Sequence, residues 1–235
     1  MVAVLSRTVN TVRPTNDTRP LLTRDGSYTV RNDALDVFYH SVHGAIQEST
    51  HVFIKAGLEQ VPKSKMDVLE VGLGTGLNLL LTWIRCWEGK CTVRYTALEP
   101  YPLSHAMLEQ LDHCNELAWP GLHTPFMERM ASTDTEWAEE LGGLSFRKLP
   151  TFVQEFDECE AYDLVYYDAF APRAQPELWT AEAFTRMHNA LRPGGVLVTY
   201  CAKGEVRRAM LAAGFSVERL PGPVGKREMF RATKN

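Results

Sequence analysis

Short apolar runs alternate with amphipathic stretches along most of this chain. Five such runs predict buried strands, at 68–71, 91–99, 144–149, 161–168 and 196–200. Their apolar character suits strands covered on both faces, as in a parallel sheet. Three amphipathic stretches predict helices, over 77–87, 181–191 and 204–213. Strands that alternate with helices indicate an α/β fold with a doubly wound, mostly parallel sheet.

The last two predicted strands differ from the others. Residues 215–220 and 227–231 are joined by the Pro/Gly-rich segment 221–225, which is too short for a crossover helix. We therefore expect these two strands to pair antiparallel. The predicted main sheet has seven strands and ends in a C-terminal antiparallel hairpin.

The N-terminal residues are predicted to form an extension to this sheet. The pair Asp25-Gly26 between short β-prone runs predicts a hairpin, and a helix is expected over 50–58. Residues 1–20 are polar and are expected to form a loose arm. We place the extension at 1–60 and the main domain at 61–235, with both parts packed as one unit.

The first predicted strand of the main sheet runs into Gly72-x-Gly74-x-Gly76. Glycines let the backbone turn sharply and let a ligand approach the main chain. A dinucleotide fingerprint requires Gly-x-Gly-x-x-Gly, and its third glycine would fall at Leu77, which disfavours an NAD-dependent oxidoreductase. Glu70 lies before the first glycine, an arrangement similar to that of S-adenosyl-L-methionine (SAM) methyltransferases of the doubly wound class.

Two acidic residues end predicted strands. Glu99 follows the glycines by roughly 20 residues, where a carboxylate accepts hydrogen bonds from ribose hydroxyls. Asp168 ends the fourth strand, beside the expected switch point of the sheet, where ligands bind. The alternatives are a solvated strand-end carboxylate for Glu99 and a structural loop-capping residue for Asp168.

Composition excludes several other classes of function. The five cysteines are scattered and form no Cys-x-x-Cys pair, which is typical of a reducing, cytoplasmic protein. His40, His43 and His51 have no metal-ligand spacing, so no metal is expected. No apolar run reaches membrane-spanning length. The net charge of −4 requires any nucleic-acid contact to come from a local basic surface.

More specific runs accompany the glycine motif, among them Asp168-Ala169-Phe170-Ala171-Pro172 and Gly225-Lys226-Arg227-Glu228-Met229. With these runs the chain resembles the tRNA 5-methylaminomethyl(-2-thio)uridine methyltransferase family, stand-alone relatives of the methyltransferase half of the bifunctional wobble-uridine enzyme. The resemblance implies methyl transfer from SAM to the amine of 5-aminomethyl(-2-thio)uridine in the tRNA anticodon loop. No second glycine fingerprint is present, so we expect no FAD, and a separate enzyme would supply the aminomethyl base.

The resemblance, the strand-end positions and the clustering of basic residues together suggest roles for individual residues. Asp168 would orient the amine and accept its proton. Cofactor contacts are expected from Glu70, Gly72, Gly74, Gly76, Asn78 and Glu99, together with Tyr39, Gly44 and Glu48 from the N-terminal motif. Contacts to the base or the RNA are expected from Phe170, Pro172, Trp179, Lys203, Arg207, Arg208, Lys226 and Arg227, with arginines of the arm such as Arg7 and Arg13. The residue that contacts adenine stays unassigned.

Two other functions stay open at this point. A SAM-type transferase acting on a small, polyamine-like amine would share the glycine turn and the strand-end acid. A non-catalytic RNA-binding module would share the basic residues, although it would be expected to lose Asp168 or the glycines.

Overall fold

The computed structural model describes residues 17–235. Its N-terminal part contains strands β1 (Thr18–Leu22), β2 (Tyr28–Asn32) and β3 (Val37–Phe38), followed by helix α1 (Ala45–Ser49). The three strands form a separate antiparallel sheet in the order β1-β2-β3. Helix α1 continues as one π-helical segment over Thr50–Lys55.

The main sheet contains the other seven strands. These are β4 (Lys65–Val71), β5 (Thr92–Leu98), β6 (Leu144–Leu149), β7 (Tyr162–Tyr167), β8 (Leu191–Thr199), β9 (Phe215–Pro221) and β10 (Glu228–Lys234). The connecting helices are α2 (Leu77–Trp87), α3 (His105–Leu108), α4 (His113–Glu116), α5 (His123–Ala131), α6 (Ala181–Ala190) and α7 (Gly204–Ala212).

The strand order of this sheet is β6-β5-β4-β7-β8-β10-β9. All pairs from β6 to β8 are parallel, and β10 runs antiparallel to both β8 and β9. The predicted doubly wound, seven-stranded sheet with an antiparallel C-terminal hairpin is therefore confirmed. Because the order reverses at β4 and β7, the crevice between their carboxyl ends is the expected ligand position.

Local details differ from the predictions. The helix expected over 50–58 begins earlier, at Ala45, and its regular part ends at Lys55. The expected turn at 193–195 lies inside β8, where the pairing with β7 shifts register. Of the expected loose arm, residues 18–20 belong to β1, and residues 1–16, including Arg7 and Arg13, lie outside the described residues.

Apolar side chains cover both faces of the main sheet. On one face, Phe53 and Val30 of the N-terminal part share a buried cluster with Leu80 of α2. The other face packs against α6 and α7 through residues such as Phe184 and Val206. The extension therefore contributes to the same core as the main sheet. Within residues 17–235, we find no helix long and apolar enough to cross a membrane.

Candidate active site

A cavity of about 670 Å³ opens at the carboxyl edge of the sheet. Its lining includes Gly72 and Gly74 after β4, Glu99 after β5, and Asp168 after β7. The volume lies in the range of small-molecule sites. Residues from three adjacent strands thus meet in one cleft, as expected from their strand-end positions.

Gly72 lets two of these strand ends approach each other closely. Its φ is +86°, and a Cβ atom there would lie 2.8 Å from the Asp168 carbonyl oxygen. An added side chain would therefore push away the backbone that carries Asp168. Gly76, with φ +76°, is tight for another reason, since a Cβ there would meet Met130 and Phe126 of α5. Gly76 is accordingly a packing position and does not line the cavity.

Glu99 is held in place by backbone groups. Its Oε2 accepts a hydrogen bond from Gly74 N at 3.0 Å, and its Oε1 accepts one from Tyr101 N at 2.9 Å. Burial raises the pKa of Glu99, although these two bonds oppose the change. Each carboxylate oxygen retains a lone pair for another donor, so the residue can still accept ribose hydroxyls.

Asp168 combines a place in the cavity wall with a raised pKa. Burial, with a contribution from the charge of Glu48, raises its pKa to about 7, while the Asn78 hydrogen bond and the charge of Lys226 act in the opposite direction. Asn78 Nδ2 donates to Asp168 Oδ2 at 2.8 Å. A carboxylate with a pKa near 7 is a much stronger proton acceptor than an ordinary one.

Glu70 and Asn78 lie behind the cavity and not in its wall. They are 0% and 2% exposed, and neither lines the cavity. Asn78 Nδ2 also donates to Glu70 Oε1 at 2.8 Å. Burial raises the pKa of Glu70 well above its ordinary value. The structure therefore gives these two predicted cofactor residues no direct contact with the cavity.

Of the three N-terminal candidates, only Tyr39 lines the cavity. Its ring covers Gly74 and meets the Phe170 ring edge-on, at a centroid distance of 4.8 Å. Gly44 is packed instead against Asp25, whose Oδ2 would lie 2.5 Å from a Cβ at that position. Tyr39 and Gly44 belong to the same N-terminal segment, but of these two only Tyr39 lines the cavity.

Glu48 does not line the cavity, so its expected contact with the methionine ammonium of SAM stays a prediction. Its side chain is 6% exposed and forms an ion pair with Lys226. Its Oε2 accepts a hydrogen bond from Ser41 N at 2.7 Å. Lys226 in turn lies 3.8 Å from the centroid of the Tyr200 ring, a cation–π arrangement. Lys226 is half-buried and paired within the protein, and its expected RNA contact stays a prediction.

The aromatic residues expected to stack on a base also differ in position. Phe170 lines the cavity, whereas Pro172 and Trp179 are buried outside it. Trp179 Nε1 donates to the Phe170 carbonyl oxygen at 2.8 Å, and its ring packs against Tyr167. Trp179 thus supports the loop that carries Phe170 and has no free face for a base.

The remaining basic candidates are exposed. Lys203, Arg207 and Arg208 lie at the start of α7. Arg227 is the last residue of the turn between β9 and β10. Lys203 forms a weak ion pair with Glu205 at 3.7 Å. No ion pair is recorded for Arg207, Arg208 or Arg227 with any residue from 17 to 235. These three guanidinium groups are therefore available to an anionic partner.

Sequence reasoning missed the far end of the cavity. Tyr101 and Phe152 line it together and meet edge-to-face at 5.7 Å, and Phe152 is 41% exposed. Gln154 lines the same end, with its Nε2 donating to the Glu177 carbonyl oxygen at 3.3 Å. The signal available in the sequence was an aromatic residue and an amide, Phe152 and Gln154, shortly after the predicted strand 144–149. Within residues 17–235, no cluster of His, Cys, Asp and Glu is arranged to hold a metal.

The sequence and structure are similar to those of known methyltransferases. A family model described as S-adenosyl-L-methionine-dependent methyltransferase matches residues 127–235. The tRNA 5-methylaminomethyl-2-thiouridine biosynthesis bifunctional protein MnmC of Cupriavidus necator is 33% identical over 229 residues, which are 89% of this chain and 33% of that protein. The protein of the same name from Aromatoleum aromaticum is 33% identical over 93% of this chain and 36% of its own length. The chain thus spans about a third of the length of these relatives.

Solved structures give the same result. The crystal structure of MnmC2 from Aquifex aeolicus matches with a TM-score of 0.72 and 26% identity, covering 93% of this chain and 70% of that one. Spermidine synthase from Thermotoga maritima matches with a TM-score of 0.54 at 13% identity, which indicates a shared fold. The chain therefore belongs to the family of SAM-dependent methyltransferases that includes part of the bifunctional tRNA 5-methylaminomethyl-2-thiouridine biosynthesis proteins.

Proposed function

We propose that this protein transfers the methyl group of SAM to the amine of 5-aminomethyl(-2-thio)uridine at the wobble position of tRNA. The product would be 5-methylaminomethyl(-2-thio)uridine. The observation that carries the proposal is the placement of Asp168 in the cavity wall, beside the glycine turn, with its pKa raised to about 7. The similarity to proteins named for this base supports the choice of substrate.

The cavity fits the chemical parts of SAM. Glu99 offers acceptors for the ribose hydroxyls, and Tyr101 and Phe152 offer an aromatic surface for adenine. The exposed main chain at Gly72 and Gly74 lets the methionine part approach closely. When bound, SAM supplies a methyl group already activated by a sulfonium. The protein has mainly to place an acceptor in line with it.

The acceptor amine must lose a proton before it can react. If its pKa resembled that of lysine, reaching the neutral form would cost roughly 4–5 kcal/mol at pH 7. Burial in this largely apolar cavity would lower that cost, because desolvation disfavours an ammonium. Asp168 would accept an N–H bond from the amine, aim its lone pair, and take up the proton. Tyr39 and Phe170 lie at the same part of the cavity, where they can hold a base extruded from the anticodon loop.

The exposed cations provide a local surface for tRNA phosphates. Lys203, Arg207, Arg208 and Arg227 come from the segments that follow β8 and precede β10. Phosphate contacts would make binding weaken with salt. The relatives favour this RNA substrate over a free polyamine, since the likeness to spermidine synthase extends only to the fold. We further propose that a separate enzyme supplies the aminomethyl base.

Nucleoside mass spectrometry tests the proposal. tRNA bearing the aminomethyl wobble base is incubated with the protein and methyl-labelled SAM, then digested. We expect one labelled methyl group on that nucleoside and none with Asp168→Asn. Spermidine and putrescine serve as competing acceptors in parallel. Labelling of the polyamines alone, or of no acceptor at all, would contradict the proposed substrate.

A further inference from the structure

Two buried polar side chains lie directly behind Asp168. Asn78, in the first turn of α2, donates from Nδ2 to Glu70 Oε1 and to Asp168 Oδ2, each at 2.8 Å. An amide nitrogen carries two hydrogens, so these two bonds use both of them. The three residues form a hydrogen-bonded chain, which we call the Glu70–Asn78–Asp168 relay. Its inner two members are almost completely buried.

The orientation of the Asn78 amide is fixed by this arrangement. If the amide were reversed, its oxygen would face two carboxyl oxygens that are both acceptors, unless both acids were protonated. In the observed orientation, Asn78 Oδ1 is buried and has no partner within residues 17–235. An unpaired buried acceptor costs stability. Asn78 therefore keeps a buried oxygen without a hydrogen bond, while its amide nitrogen donates to both acids.

The relay leaves the two oxygens of Asp168 in different situations. Oδ2 accepts from Asn78, whereas Oδ1 has no hydrogen-bond donor among residues 17–235. Asp168 also lines the cavity, and its backbone N–H donates to the Val71 carbonyl oxygen at 3.0 Å. Main chain and carboxylate are thus both fixed, with one carboxylate oxygen open to a ligand.

We propose that Asn78 is a positioning residue, anchored by Glu70. It fixes the Asp168 carboxylate so that Oδ1 accepts the proton of the acceptor amine. This role rests on the proposed function. The amine nitrogen gains the methyl carbon as the carbon–sulfur bond breaks, and that bond's electron pair stays on sulfur. The N–H proton passes to Asp168. Glu70 and Asn78 then act through Asp168 and do not contact the cofactor.

The state of Glu70 follows from its surroundings. Burial favours its neutral form, and the charge of Asp168 disfavours a second carboxylate nearby. A neutral Glu70 can accept from Asn78 with one oxygen, as a glutamine can. Glu70→Gln is therefore expected to preserve the relay, and Glu70→Leu is expected to remove the anchor of Asn78.

The test compares Asn78→Leu with Thr82→Val. Thr82 lies one turn further along α2, is also 0% exposed, and its hydroxyl pairs with Tyr166 Oη at 3.2 Å. For Asn78→Leu we expect kcat to fall on the order of 10–100-fold, with the Kd for SAM unchanged within about twofold by calorimetry. The acidic limb of the pH–rate profile is expected to move about one pH unit upward, since a hydrogen bond to the ionised acid is lost. Thr82→Val should leave all three quantities unchanged.

The glutamate variants provide a second measurement if Asn78→Leu does not fold. Glu70→Gln is expected to retain kcat within about twofold, because an amide oxygen replaces the accepting carboxyl oxygen. Glu70→Leu is expected to lose kcat as Asn78→Leu does, again without losing SAM affinity. Equal losses in Glu70→Gln and Glu70→Leu, or equal losses in Asn78→Leu and Thr82→Val, would overturn the proposal.

Other outcomes separate this proposal from the proposed function. A tenfold or larger loss of SAM affinity in Asn78→Leu would make Asn78 a cofactor contact and overturn the relay. If the wild-type protein labels no tRNA, the proposed function fails, and the relay is then judged from the pH dependence of unfolding. The titration of Asp168, obtained by subtracting the Asp168→Asn curve, should move to higher pH in Asn78→Leu. An unmoved titration would contradict the relay independently of any activity.

Discussion

Two aspartates lie at opposite ends of β7, Asp163 within the strand and Asp168 just after it, and their surroundings differ. Asp163, near the amino end, is 4% exposed and contacts Lys63 at 2.6 Å and Arg192 at 2.9 Å. Its Oδ2 also accepts from Asp67 N at 2.9 Å. Although burial raises the pKa of Asp163, these hydrogen bonds lower it below its ordinary value. Asp168, just past the carboxyl end, has no cation in direct contact within the described chain, and its pKa is raised to about 7.

The difference separates a structural acid from a reactive one. Asp163 has its charge and lone pairs satisfied, and it ties β4, β7 and β8 together. Asp168 is held by one neutral amide and retains an unsatisfied capacity to bind a proton. Burial raises the pKa of both acids, and only at Asp163 do contacting cations and hydrogen bonds reverse the shift.

The largest expected effect is on catalysis. Replacing Asp168 by Asn keeps the shape and the cavity but removes the proton acceptor. We expect turnover to fall about 1,000-fold or more, with SAM affinity retained. Single-turnover assays and calorimetry measure the two quantities. Activity close to that of the wild type would show that Asp168 is not the proton acceptor, and the contrast between Asp168 and Asp163 would lose its catalytic meaning.

The next effect is on stability, at the other end of β7. Asp163→Ala leaves Arg192 and Lys63 without their shared acid, and we expect a loss of about 3 kcal/mol in the free energy of unfolding. Urea denaturation monitored by fluorescence measures this loss. The matched control is Asp157→Ala, which changes an exposed aspartate shortly before the same strand and should cost little. A near-neutral Asp163→Ala would contradict its structural role.

A smaller effect appears in the pH dependence of stability, with opposite signs for the two acids. The folded-state pKa of Asp168 is raised, so its contribution to stability is present at low pH and is lost as pH rises to about 7. Asp168→Asn should therefore be more stable than the wild type at pH 8, by about 1 kcal/mol or more, and equal to it near pH 4. The pKa of Asp163 is lowered, so its contribution is present above pH 4 and is lost on further acidification. Denaturation curves from pH 3 to 8 measure both trends.

The smallest effect concerns the cations near the carboxyl edge. Arg227 is exposed and has no ion pair within residues 17–235, in contrast to Arg192 beside Asp163. Arg227→Ala should weaken tRNA binding a few-fold at low salt and reduce the salt slope by about one. Filter binding at several salt concentrations measures it, with Lys90→Ala, just before β5 at the opposite edge of the sheet, as control. An unchanged slope would remove Arg227 from the RNA surface.

The sequence predicted what depends on order along the chain. Strand periodicity gives the sheet, and the position of an acid at a strand end gives its place in the cleft, so Glu99 and Asp168 are located without a structure. The Asp25-Gly26 hairpin and the antiparallel C-terminal pair follow from short connections. Each of these features is local or depends on a general rule of sheet topology.

What the sequence did not predict depends on contacts between distant segments. Glu48 and Lys226 are 178 positions apart, so their pairing is visible only in the fold. Trp179 has a side chain that can stack on a base, but in the fold it is buried against Tyr167 and the loop that carries Phe170. Glu70 and Asn78 lie in the right motif, yet the direction of their side chains is set by a helix packed over a strand.

The strand made last among the ten described lies inside the main sheet. β10 pairs with β8 on one side and β9 on the other, so β9 has no neighbour in this sheet until residues 228–234 have been synthesised. During translation β9 therefore has no strand to pair with in its final position while the ribosome finishes β10. Folding can be completed only after this segment leaves the exit tunnel, and a chaperone that binds unpaired strands has its best opportunity in that interval.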